Sequence, residues 1–456
     1  MTSEVYSNYK ESGSHWLGQI PGHWSVKKLK FLAVVQPSNV DKKTVDGEEP
    51  VLLCNYTDVY KNEYIDSRLE FMPATATSTE IEKFSTDIGD VIVTKDSEDP
   101  SDIAIPACIS EKIDGLLCGY HLTQIKPIGL DGRYLLRLFQ SKGFNAQFII
   151  SANGVTRFGL PQYAISNAYS CMPPMSEQKG IAKFLDFKTA QIDALICKQK
   201  ALLEKLAEKR TALISHAVTH GVDPSVSMKD SAVEWLGEIP STWNVTRLRF
   251  LVKISGGMTP STNKPEYWGG DIPWVSPKDM KRDAINSSID TLTEQALLDT
   301  SISLYEPNNV LIVVRGMILA HTFPVAINIV PVTVNQDMKV LSTSFNPDYL
   351  LFLLKGIQGL ILSVVEESAH GTKVLRTDVF KNIYLPVPPR EEQERIVKKI
   401  REITFSIDQQ TNRISLLIVR LQEYRSTLIT NAVTGKIDVR NFSIPENCES
   451  QRTECA

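Results

Sequence analysis

Two long segments of the chain place apolar side chains at alternating steps of four and three residues. In the later segment the series is Ile396, Ile400, Ile403, Ile407, Gln410, Ile414, Leu417, Leu421, Tyr424 and Leu428. In the earlier segment it is Ile181, Leu185, Lys188, Ile192, Leu195, Gln199, Leu202, Leu206, Lys209 and Leu213. A heptad spacing keeps one seam of a helix against a partner helix. We therefore predict two long helices that pair with each other, with Gln199 and Gln410 in their seams fixing the register.

The segments before these helices carry shorter apolar runs that turn residues interrupt. "GDVIVTKD" (residues 89–96) and "NNVLIVVRG" (308–316) predict buried strands. "PVLLCNYTDVYKN" (50–62) and "DIPWVSPKDMKRD" (271–283) each predict a strand that opens into a polar, basic loop. "DGRYLLRLFQS" and "NPDYLLFLLKG" predict helices. Together these elements indicate an α/β or α+β domain before each long helix.

The two halves of the chain are copies of one pattern. "HWLGQIPGHWSVKKLKFL" begins at His15, and "EWLGEIPSTWNVTRLRFL" begins at Glu234, 219 positions later. The Pro-Pro-x-x-E-Q stretch that opens each long helix recurs at an offset of 215. Such a repeat indicates a duplicated unit. The predicted division is a first domain at 1–172, a helix at 173–220, a second domain at 221–386, a helix at 387–435 and a tail at 436–456.

Four tryptophans belong to this repeat, namely Trp16, Trp24, Trp235 and Trp243. They recur between halves that otherwise differ strongly. We therefore predict that they pack in the cores of the two domains and do not contact a ligand.

Composition narrows the class of protein. The 456 residues are 42% hydrophobic and 22% charged, with a net charge of −4, which is typical of a globular protein and argues against a simple polycation. The seven cysteines form no C-x-x-C pair, which predicts free thiols and a cytoplasmic location. The N-terminus has no apolar leader. The stretch "YLLFLLKGIQGLILSVV" contains Lys355 and two glycines and predicts a buried helix, with no membrane span.

The sequence contains none of the common catalytic motifs. It has no G-x-x-x-x-G-K-[ST] loop, no G-x-G-x-x-G after a strand and no H-E-x-x-H. "NPDY" at 346–349 differs from the N-P-P-Y motif of amino-methyltransferases at Asp348, and it predicts a helix cap. His216 and His220 have the spacing of a metal pair but no third ligand in view. We predict no catalytic residue and no metal site.

The repeated "WLG-x-IP", the Pro-Pro-x-x-E-Q segments and "AVTGKIDVR" at the end of the second helix resemble the specificity subunit of type I restriction–modification systems. The resemblance covers residues 1 to about 440. It implies two tandem target recognition domains that read the halves of a bipartite, asymmetric double-stranded DNA target. It also implies an antiparallel coiled coil between the long helices, a pseudo-twofold internal repeat and a subunit without chemistry of its own.

The implied partners are two methyltransferase subunits, which dock on the helical region, and restriction subunits that translocate DNA. S-adenosylmethionine, ATP and Mg are expected on those partner subunits, and no cofactor is expected in this chain. Two alternatives stay open at this point. One is a coiled-coil scaffold without sequence readout, and the other is a self-contained DNA methyltransferase or nuclease.

Polar and basic side chains on loops that follow core strands are the candidates for contact with DNA. In the first domain they are Asn55, Tyr56, Thr57, Tyr60, Lys61, Lys95 and Arg157. In the second domain they are Ser276, Lys278, Lys281, Arg282, Arg315, Lys373 and Arg376. Arg315 stands out because it ends a strongly apolar run, where an unpaired buried charge would be costly.

Overall fold

The structure is a computed structural model that describes residues 5–445. The part of the predicted tail from 446 to 456 lies outside the described residues. The chain forms two compact units. Unit 1 contains the described residues up to Lys200 and from Ser415 onward, and unit 2 contains Ala201–Ile414. Each unit therefore takes one domain together with part of each long helix, whereas the sequence suggested a succession of whole segments.

Unit 1 is built from short strands and helices before the first long helix. Its strands are β1 (Tyr9–Glu11), β2 (Gln19–Pro21), β3 (Ser25–Lys28), β4 (Ala33–Pro37), β5 (Glu49–Cys54), β6 (Tyr64–Ile65), β7 (Met72–Ala76), β8 (Val91–Thr94), β9 (Asp96–Ser97), β10 (Pro106–Ile109), β11 (Leu116–Cys118), β12 (Leu122–Pro127), β13 (Phe158–Gly159) and β14 (Tyr169–Met172). Its helices are α1 (Tyr56–Lys61), α2 (Ser78–Phe84), α3 (Gly132–Phe139), α4 (Lys142–Ser151) and α5 (Gln162–Asn167). The first long helix, α6, spans Met175–His220.

Unit 2 repeats this arrangement before the second long helix. Its strands are β15 (Met228–Asp230), β16 (Glu238–Pro240), β17 (Asn244–Arg247), β18 (Val252–Gly256), β19 (Trp268–Val275), β20 (Ala284–Ile285), β21 (Asp290–Leu292), β22 (Val310–Val313), β23 (Val325–Asn328), β24 (Thr333–Val334), β25 (Met338–Thr343), β26 (Glu366–Glu367), β27 (Lys373–Val374) and β28 (Tyr384–Val387). Its helices are α7 (Glu294–Asp299), α8 (Pro347–Gly356), α9 (Gln358–Ser363) and α10 (Thr377–Phe380). The second long helix, α11, spans Arg390–Val433.

The sheets of the two units share one topology. The five-stranded sheet has the order β4-β12-β8-β10-β6 in unit 1 and β18-β25-β22-β23-β20 in unit 2. The three-stranded sheet has the orders β11-β5-β7 and β21-β19-β24, which are the same when read in opposite directions. Antiparallel pairs dominate the larger sheets, and each ends in one parallel edge pair, β10 with β6 and β23 with β20. The predicted mixed α and β fold with an internal repeat is thus confirmed.

The apolar stretch around Lys355 is divided between α8 and α9, whose helical residues include the buried Leu350, Leu353 and Ile361. Across residues 5–445, no helix is both long and apolar enough to cross a membrane. Four cysteines, Cys54, Cys108, Cys118 and Cys171, are buried free thiols.

A glutamine in the first turn of each long helix ties the helix to its domain. The side chain of Gln178 accepts the backbone N–H of Asp131 at 2.9 Å and donates to the carbonyl of Pro173 at 3.0 Å. Gln393 makes the same two bonds in unit 2. Its side chain accepts the backbone N–H of Asn346 and donates to the carbonyl of Pro388, each at 3.0 Å. The repeated Pro-Pro-x-x-E-Q stretch therefore connects a helix start, a proline carbonyl and the N-cap of a domain helix.

The repeated tryptophans have the structural role that the sequence predicted. Trp24 and Trp243 are fully buried, whereas Trp16 and Trp235 are half-buried. Glycines past the ends of the long helices pack against the buried pair. A Cβ atom at Gly435 would lie 3.1 Å from the Trp24 ring and closer still to Pro21, and one at Gly221 would lie 3.4 Å from the Trp243 ring. Both glycines have left-handed φ angles, +72° and +79° respectively, which other residues adopt at a cost.

The helix seam is shifted by one residue at every second predicted position. The side chains that line it in the first helix are Leu185, Thr189, Ile192, Ile196, Gln199, Leu203, Leu206 and Arg210. In the second helix they are Ile400, Thr404, Ile407, Thr411, Ile414, Ile418, Leu421 and Arg425. The predicted Leu195 and Leu202 are 40% and 42% exposed, and Gln410 is exposed. The prediction that Gln199 and Gln410 together fix the register is therefore wrong.

Two ion pairs show how the long helices run. In unit 1, Arg425 Nε donates to Asp193 Oδ1 at 2.9 Å. In unit 2, Arg210 Nε lies 3.6 Å from Asp408 Oδ1. The two arginines are 215 positions apart, as are the two aspartates. Early residues of α6 thus meet late residues of α11, and late residues meet early ones, so the helices pair antiparallel and the pairing repeats the duplication.

A buried arginine anchors the domain of unit 1 to its helix. The Arg137 side chain is 1% exposed and pairs with Glu63 and Asp186, each at 2.9 Å. Arg425 also pairs with Glu63. Burial by itself raises the pKa of Glu63, but the guanidinium groups of Arg137 and Arg425 outweigh burial and hold that pKa below its usual range.

The next contact between domain and helix has opposite charges in the two units. In unit 1, Arg133 of the domain lies 3.4 Å from Asp186 of the helix. In unit 2, Asp348 of the domain accepts from Arg401 of the helix at 2.6 Å. Each position in one unit is 215 residues from its counterpart in the other. Exchanging the domains between helices would bring like charges together, so this contact favours the native pairing.

We expect Arg137→Ala to lower the free energy of unfolding by about 2–3 kcal/mol, because it removes a buried guanidinium and leaves the partly buried carboxylates of Glu63 and Asp186 without one of their hydrogen-bond partners. Arg133→Ala is the matched control. It removes an ion pair to the same Asp186, but the Arg133 side chain is 45% exposed, so the loss is expected to stay below about 1 kcal/mol. Chemical denaturation of both variants measures the difference. Equal losses would show that burial does not set the strength of this anchor.

Candidate nucleic-acid interface

The loop after the first strand of each three-stranded sheet begins with a buried cap. In unit 1, Asn55 is 8% exposed and its backbone N–H donates to Asp58 at 2.7 Å. In unit 2, Ser276 is 7% exposed, and its N–H and hydroxyl donate to Asp279 at 2.8 and 2.9 Å. The structure therefore places these two predicted contact residues beneath the surface, where they shape the turn that carries their neighbours.

Helix α1 presents two stacked tyrosines above this cap. The rings of Tyr56 and Tyr60 lie 5.7 Å apart at 17°, and the Tyr60 hydroxyl donates to Asp102 at 2.6 Å. The pKa of Tyr56 is raised, first by partial burial and then by the nearby carboxylates of Asp102 and Asp96. Thr57 and Lys61 are exposed on the same helix. Flat aromatic faces with a hydroxyl at the edge are suited to contact with bases or sugars.

Asp96 is the centre of the polar cluster in unit 1. Its two carboxylate oxygens accept from Arg157 at 2.7 Å and meet His121 Nδ1 at 2.5 Å. The Asp96 side chain is 14% exposed, whereas that of Arg157 is 56% exposed. Asp96 thus holds Arg157 with most of its guanidinium facing solvent, and the structure brings this predicted residue into the same cluster as Tyr56.

Lys95 and two aromatic neighbours form the adjoining edge of this cluster. Lys95 Nζ donates to the carbonyl of Ser38 at 2.9 Å and lies 4.8 Å from the centre of the Tyr120 ring. Partial burial lowers the pKa of Lys95. The Tyr120 and His121 rings are 4.0 Å apart. His121 has a φ of +71°, which is uncommon for a residue with a side chain and fixes its ring over Asp96.

The sequence-based choice of residues missed Asp96, Asp102, Tyr120 and His121. It chose polar and basic side chains on loops that follow core strands, passed over the carboxylates and took no residue from the segment just before β12, where Tyr120 and His121 lie. One signal was available for Asp96, because it directly follows Lys95 at the end of a buried strand, in the place that Arg315 occupies in the other half.

Arg315 lies exposed at the end of β22 in unit 2. It forms an isolated antiparallel bridge with Val374, just as Asp96 of β9 pairs with Gly159 of β13 in unit 1. Among residues 5–445, it takes part in no ion pair. The apolar run that precedes Arg315 is buried, but the Arg315 side chain is exposed. Arg315 is therefore not a buried guanidinium that stabilises the core.

The remaining predicted residues of unit 2 have different surroundings. Lys373 pairs with Glu367 at 2.6 Å within the β26–β27 hairpin. Arg376 pairs with Asp378 at 2.6 Å. Both of these cations are therefore held by acidic neighbours in their own segment. The other three predicted cations, Lys278, Lys281 and Arg282, are exposed after the Ser276 cap.

The same backbone position thus carries opposite chemistry in the two units. An aspartate can accept a hydrogen bond from the amino group of cytosine, and an arginine can donate two to guanine. The residue that precedes the neighbouring strand differs as well. It is His121 before β12 and Asp337 before β25. The carbonyl of His121 accepts the N–H of Lys95 at 3.1 Å, and the carbonyl of Asp337 accepts the N–H of Val314 at 2.8 Å. Two equal frames therefore present different hydrogen-bonding groups.

The histidine pair with the spacing of two metal ligands lies at the end of α6. The His216 and His220 rings stack 4.9 Å apart, and His220 Nδ1 lies 2.7 Å from the Thr219 hydroxyl. Burial and then the neighbouring His216 lower the pKa of His220. Within residues 5–445, no group of three or more His, Cys, Asp or Glu side chains is arranged to hold a metal ion.

The fold defines a class of protein with two copies of one mixed α and β domain, each combined with parts of a pair of long helices. Comparison with known proteins agrees with this class. Residues 240–417 match the family model for the type I restriction modification DNA specificity domain.

The similar proteins include specificity subunits. The chain is 37% identical over 208 residues to the EcoR124I/EcoR124II specificity subunit of Escherichia coli, a match that covers 44% of this chain and 48% of that protein. It thus spans about half the length of that relative. It is 23% identical over 444 residues to the putative MjaX specificity subunit of Methanocaldococcus jannaschii, covering 93% and 96% of the two chains.

A solved structure concerned with assembly and conformational transition of the type I R-M system contains a chain with the same fold. Its TM-score is 0.69 at 15% identity, with coverage of 91% of this chain and 98% of that one. Residues 240–417 are thus similar to a type I restriction modification DNA specificity domain, and specificity subunits are among the relatives of the chain. The expectation of a recognition subunit without a catalytic centre agrees with the names of its relatives.

Proposed function

We propose that this chain is the DNA-reading subunit of a type I restriction–modification complex, in which each unit reads one half of a bipartite, asymmetric target. The observation that carries the proposal is the shared backbone position of Asp96 and Arg315. One frame, duplicated with its sheets intact, carries in unit 1 an aspartate that holds Arg157 and His121 and in unit 2 an exposed arginine without an ionic partner among the described residues. Such a pair of readers is suited to a target whose halves differ in sequence.

The contacts to DNA are assigned to the exposed groups of the candidate interface. In unit 1 they are Tyr56, Thr57, Tyr60, Lys61, Lys95 and Arg157, joined by Asp96 and His121. In unit 2 they are Lys278, Lys281, Arg282, Arg315, Lys373 and Arg376. Asn55 and Ser276 shape the turns beneath them. Side chains without acidic partners, above all Arg315, are the strongest candidates for direct contact with base edges.

In this proposal the methyl transfer and the DNA translocation belong to partner subunits. Two methyltransferase subunits supply the S-adenosylmethionine site, and restriction subunits supply ATP and Mg sites. The antiparallel helices act as a spacer that sets the distance between the two half-sites. The complex works where the genomic DNA is, in the cytoplasm of the host.

Reconstitution tests the proposal. The purified chain alone is expected to leave DNA unmethylated and uncut. Addition of the methyltransferase subunit of the same system and S-adenosylmethionine is expected to yield methylation at a bipartite site, measured by sequencing that detects modified bases. Methyl transfer by the rigorously purified single chain, or a methylated site without two separated halves, would overturn the proposal.

The spacer role makes a geometric prediction. One heptad is inserted into each long helix after Ala201 and after Leu416, which the Asp193–Arg425 and Arg210–Asp408 pairs place opposite each other in the antiparallel register. The insertions keep the seam in phase and lengthen it by about 10 Å, from seven residues at 1.5 Å each. The preferred spacer between unchanged half-sites should then grow by about three base pairs at 3.4 Å per pair. Selection of bound duplexes with an unchanged spacer would show that the helices do not set it.

Arg315→Ala tests readout in unit 2. If Arg315 pairs with guanine, its loss should cost about 1–3 kcal/mol of discrimination at one base pair of one half-site. Binding selection on randomised duplexes at two salt concentrations measures this. The matched control is Arg376→Ala, whose guanidinium is already paired with Asp378 and should matter less. An even loss of affinity across all sequences, with a shallower salt dependence, would assign Arg315 to phosphate instead.

A further inference from the structure

The two units share an exposed patch that the candidate interface does not use. It consists of a basic residue at the end of a strand, a second basic residue and a phenylalanine in the short helical turn that follows, and an asparagine and a tyrosine just before the long helix. In unit 1 these are Lys28, Lys30, Phe31, Asn167 and Tyr169, and in unit 2 they are Arg247, Arg249, Phe250, Asn382 and Tyr384. We call each set a basic–aromatic patch.

The aromatic members of both patches face solvent to the same extent. Phe31 is 69% exposed and Phe250 is 68% exposed. Tyr169 and Tyr384 are 41% and 39% exposed. A single exposed phenylalanine needs no explanation. An exposed phenylalanine at the same place in both units, whose sequences otherwise differ strongly, indicates that the side chain has a role at the surface.

The cations lie over the aromatic rings in the same way in both units. Lys28 lies 5.4 Å from the centre of the Tyr169 ring, and Lys30 lies 5.3 Å from that of Phe31. In unit 2 the corresponding distances are 5.0 Å to Tyr384 and 4.7 Å to Phe250. Each patch therefore offers two cation–aromatic pairs in a fixed arrangement.

The backbone and the asparagine hold each patch in shape. The backbone N–H of Leu29 donates to the carbonyl of Ala168 at 3.0 Å, and in unit 2 that of Leu248 donates to the carbonyl of Ile383 at 2.9 Å. Asn167 accepts from Lys28 at 3.5 Å, and Asn382 accepts from Arg249 at 3.2 Å. The patch is thus a preformed surface in each unit.

The patch lies at the opposite end of the sheet from the candidate interface. Strand β4 leaves the patch at Ala33, opposite Pro127, and reaches Pro37, opposite Thr123, two residues after His121. Four residues at about 3.3 Å each separate the ends by about 13 Å. In unit 2, β18 runs in the same way from Val252 to Gly256. The patch and the loops of the candidate interface therefore lie at different ends of the same sheet.

We infer that the two basic–aromatic patches are docking sites for two copies of one protein partner, one on each unit. Divergent reading loops face DNA sequences that differ, whereas equal patches fit a partner that is the same for both units. The cations and aromatic rings fit an apolar pocket bordered by Asp and Glu, and aromatic and arginine side chains are common anchors of such interfaces. The inference rests on the proposed function for the identity of the partner, the methyltransferase subunit, and adds a contact outside the long helices.

Native mass spectrometry and binding titration with the methyltransferase subunit of the same system test this inference. The unit 1 variant is Lys30→Glu with Phe31→Ser, and the unit 2 variant is Arg249→Glu with Phe250→Ser. Each is expected to weaken one of the two binding events about tenfold or more, and the combined variant both. The controls Ile150→Ser and Ile289→Ser remove apolar side chains of 69% and 67% exposure that lie outside the patches, and they should retain two copies.

The outcomes separate the inference from the proposed function. A wild-type chain that binds no methyltransferase subunit overturns both. Two copies on the wild-type chain and on every patch variant, with unchanged affinity, overturns the patches alone. Patch variants that keep two copies but lose affinity for DNA identify the patches as DNA contacts and also overturn the inference. Thermal melts of the variants that match the wild type confirm that any loss arises at the surface.

Discussion

The antiparallel pairing of the two long helices is the constraint on which the rest of the structure depends. Its two repeated ion pairs, Asp193 with Arg425 and Arg210 with Asp408, join residues that belong to distant parts of the chain but to the same compact unit. Each domain can therefore complete its core only with residues from both helices. In unit 1 the core combines Leu185 and Ile192 of α6 with Leu428 of α11, and in unit 2 it combines Ile214 with Ile400.

In this arrangement Gly435 packs against Trp24 and Gly221 packs against Trp243, so the glycines and tryptophans of the repeat have the same structural role in both units. A helix end passes close to a fully buried indole in each unit, at a glycine with a left-handed backbone that other residues adopt at a cost. The glutamine at the start of the other helix lies close by, because Glu177, beside Gln178, accepts from the Trp24 indole at 3.0 Å. A frame held by these contacts tolerates large changes in its loops, which explains how Asp96 and Arg315 came to occupy one backbone position. The contacts of Asp186 with Arg133 and of Arg401 with Asp348 have opposite charges, and they favour the native combination of each domain with the start of its own long helix.

Two kinds of surface result from one duplication. The loops of the candidate interface differ in charge and size between the units. The basic–aromatic patches, in contrast, keep the same residue types at the same positions. Surface residues diverge between repeats when nothing contacts them. The loops that differ are therefore suited to a role specific to each unit, and the patches that stay alike are suited to a role common to both units. In the proposed complex, the first surface meets two different DNA half-sites and the second meets two equal protein subunits.

The sequence by itself determined the duplication, the mixed fold, the two long helices and the structural role of the tryptophans, because each of these depends on local periodicity or on repetition along the chain. It could not determine the phase of the helix seam. Leu195 stands beside Ile196, and Leu417 beside Ile418, so both phases look apolar and only packing against the partner helix decides between them. The cluster around Asp96 was likewise beyond reach, because Arg157, His121 and Tyr56 come from separate segments that meet only when the strands pair. Tertiary structure also decided that Asn55 and Ser276 lie beneath the surface, since burial depends on neighbours far away in the chain.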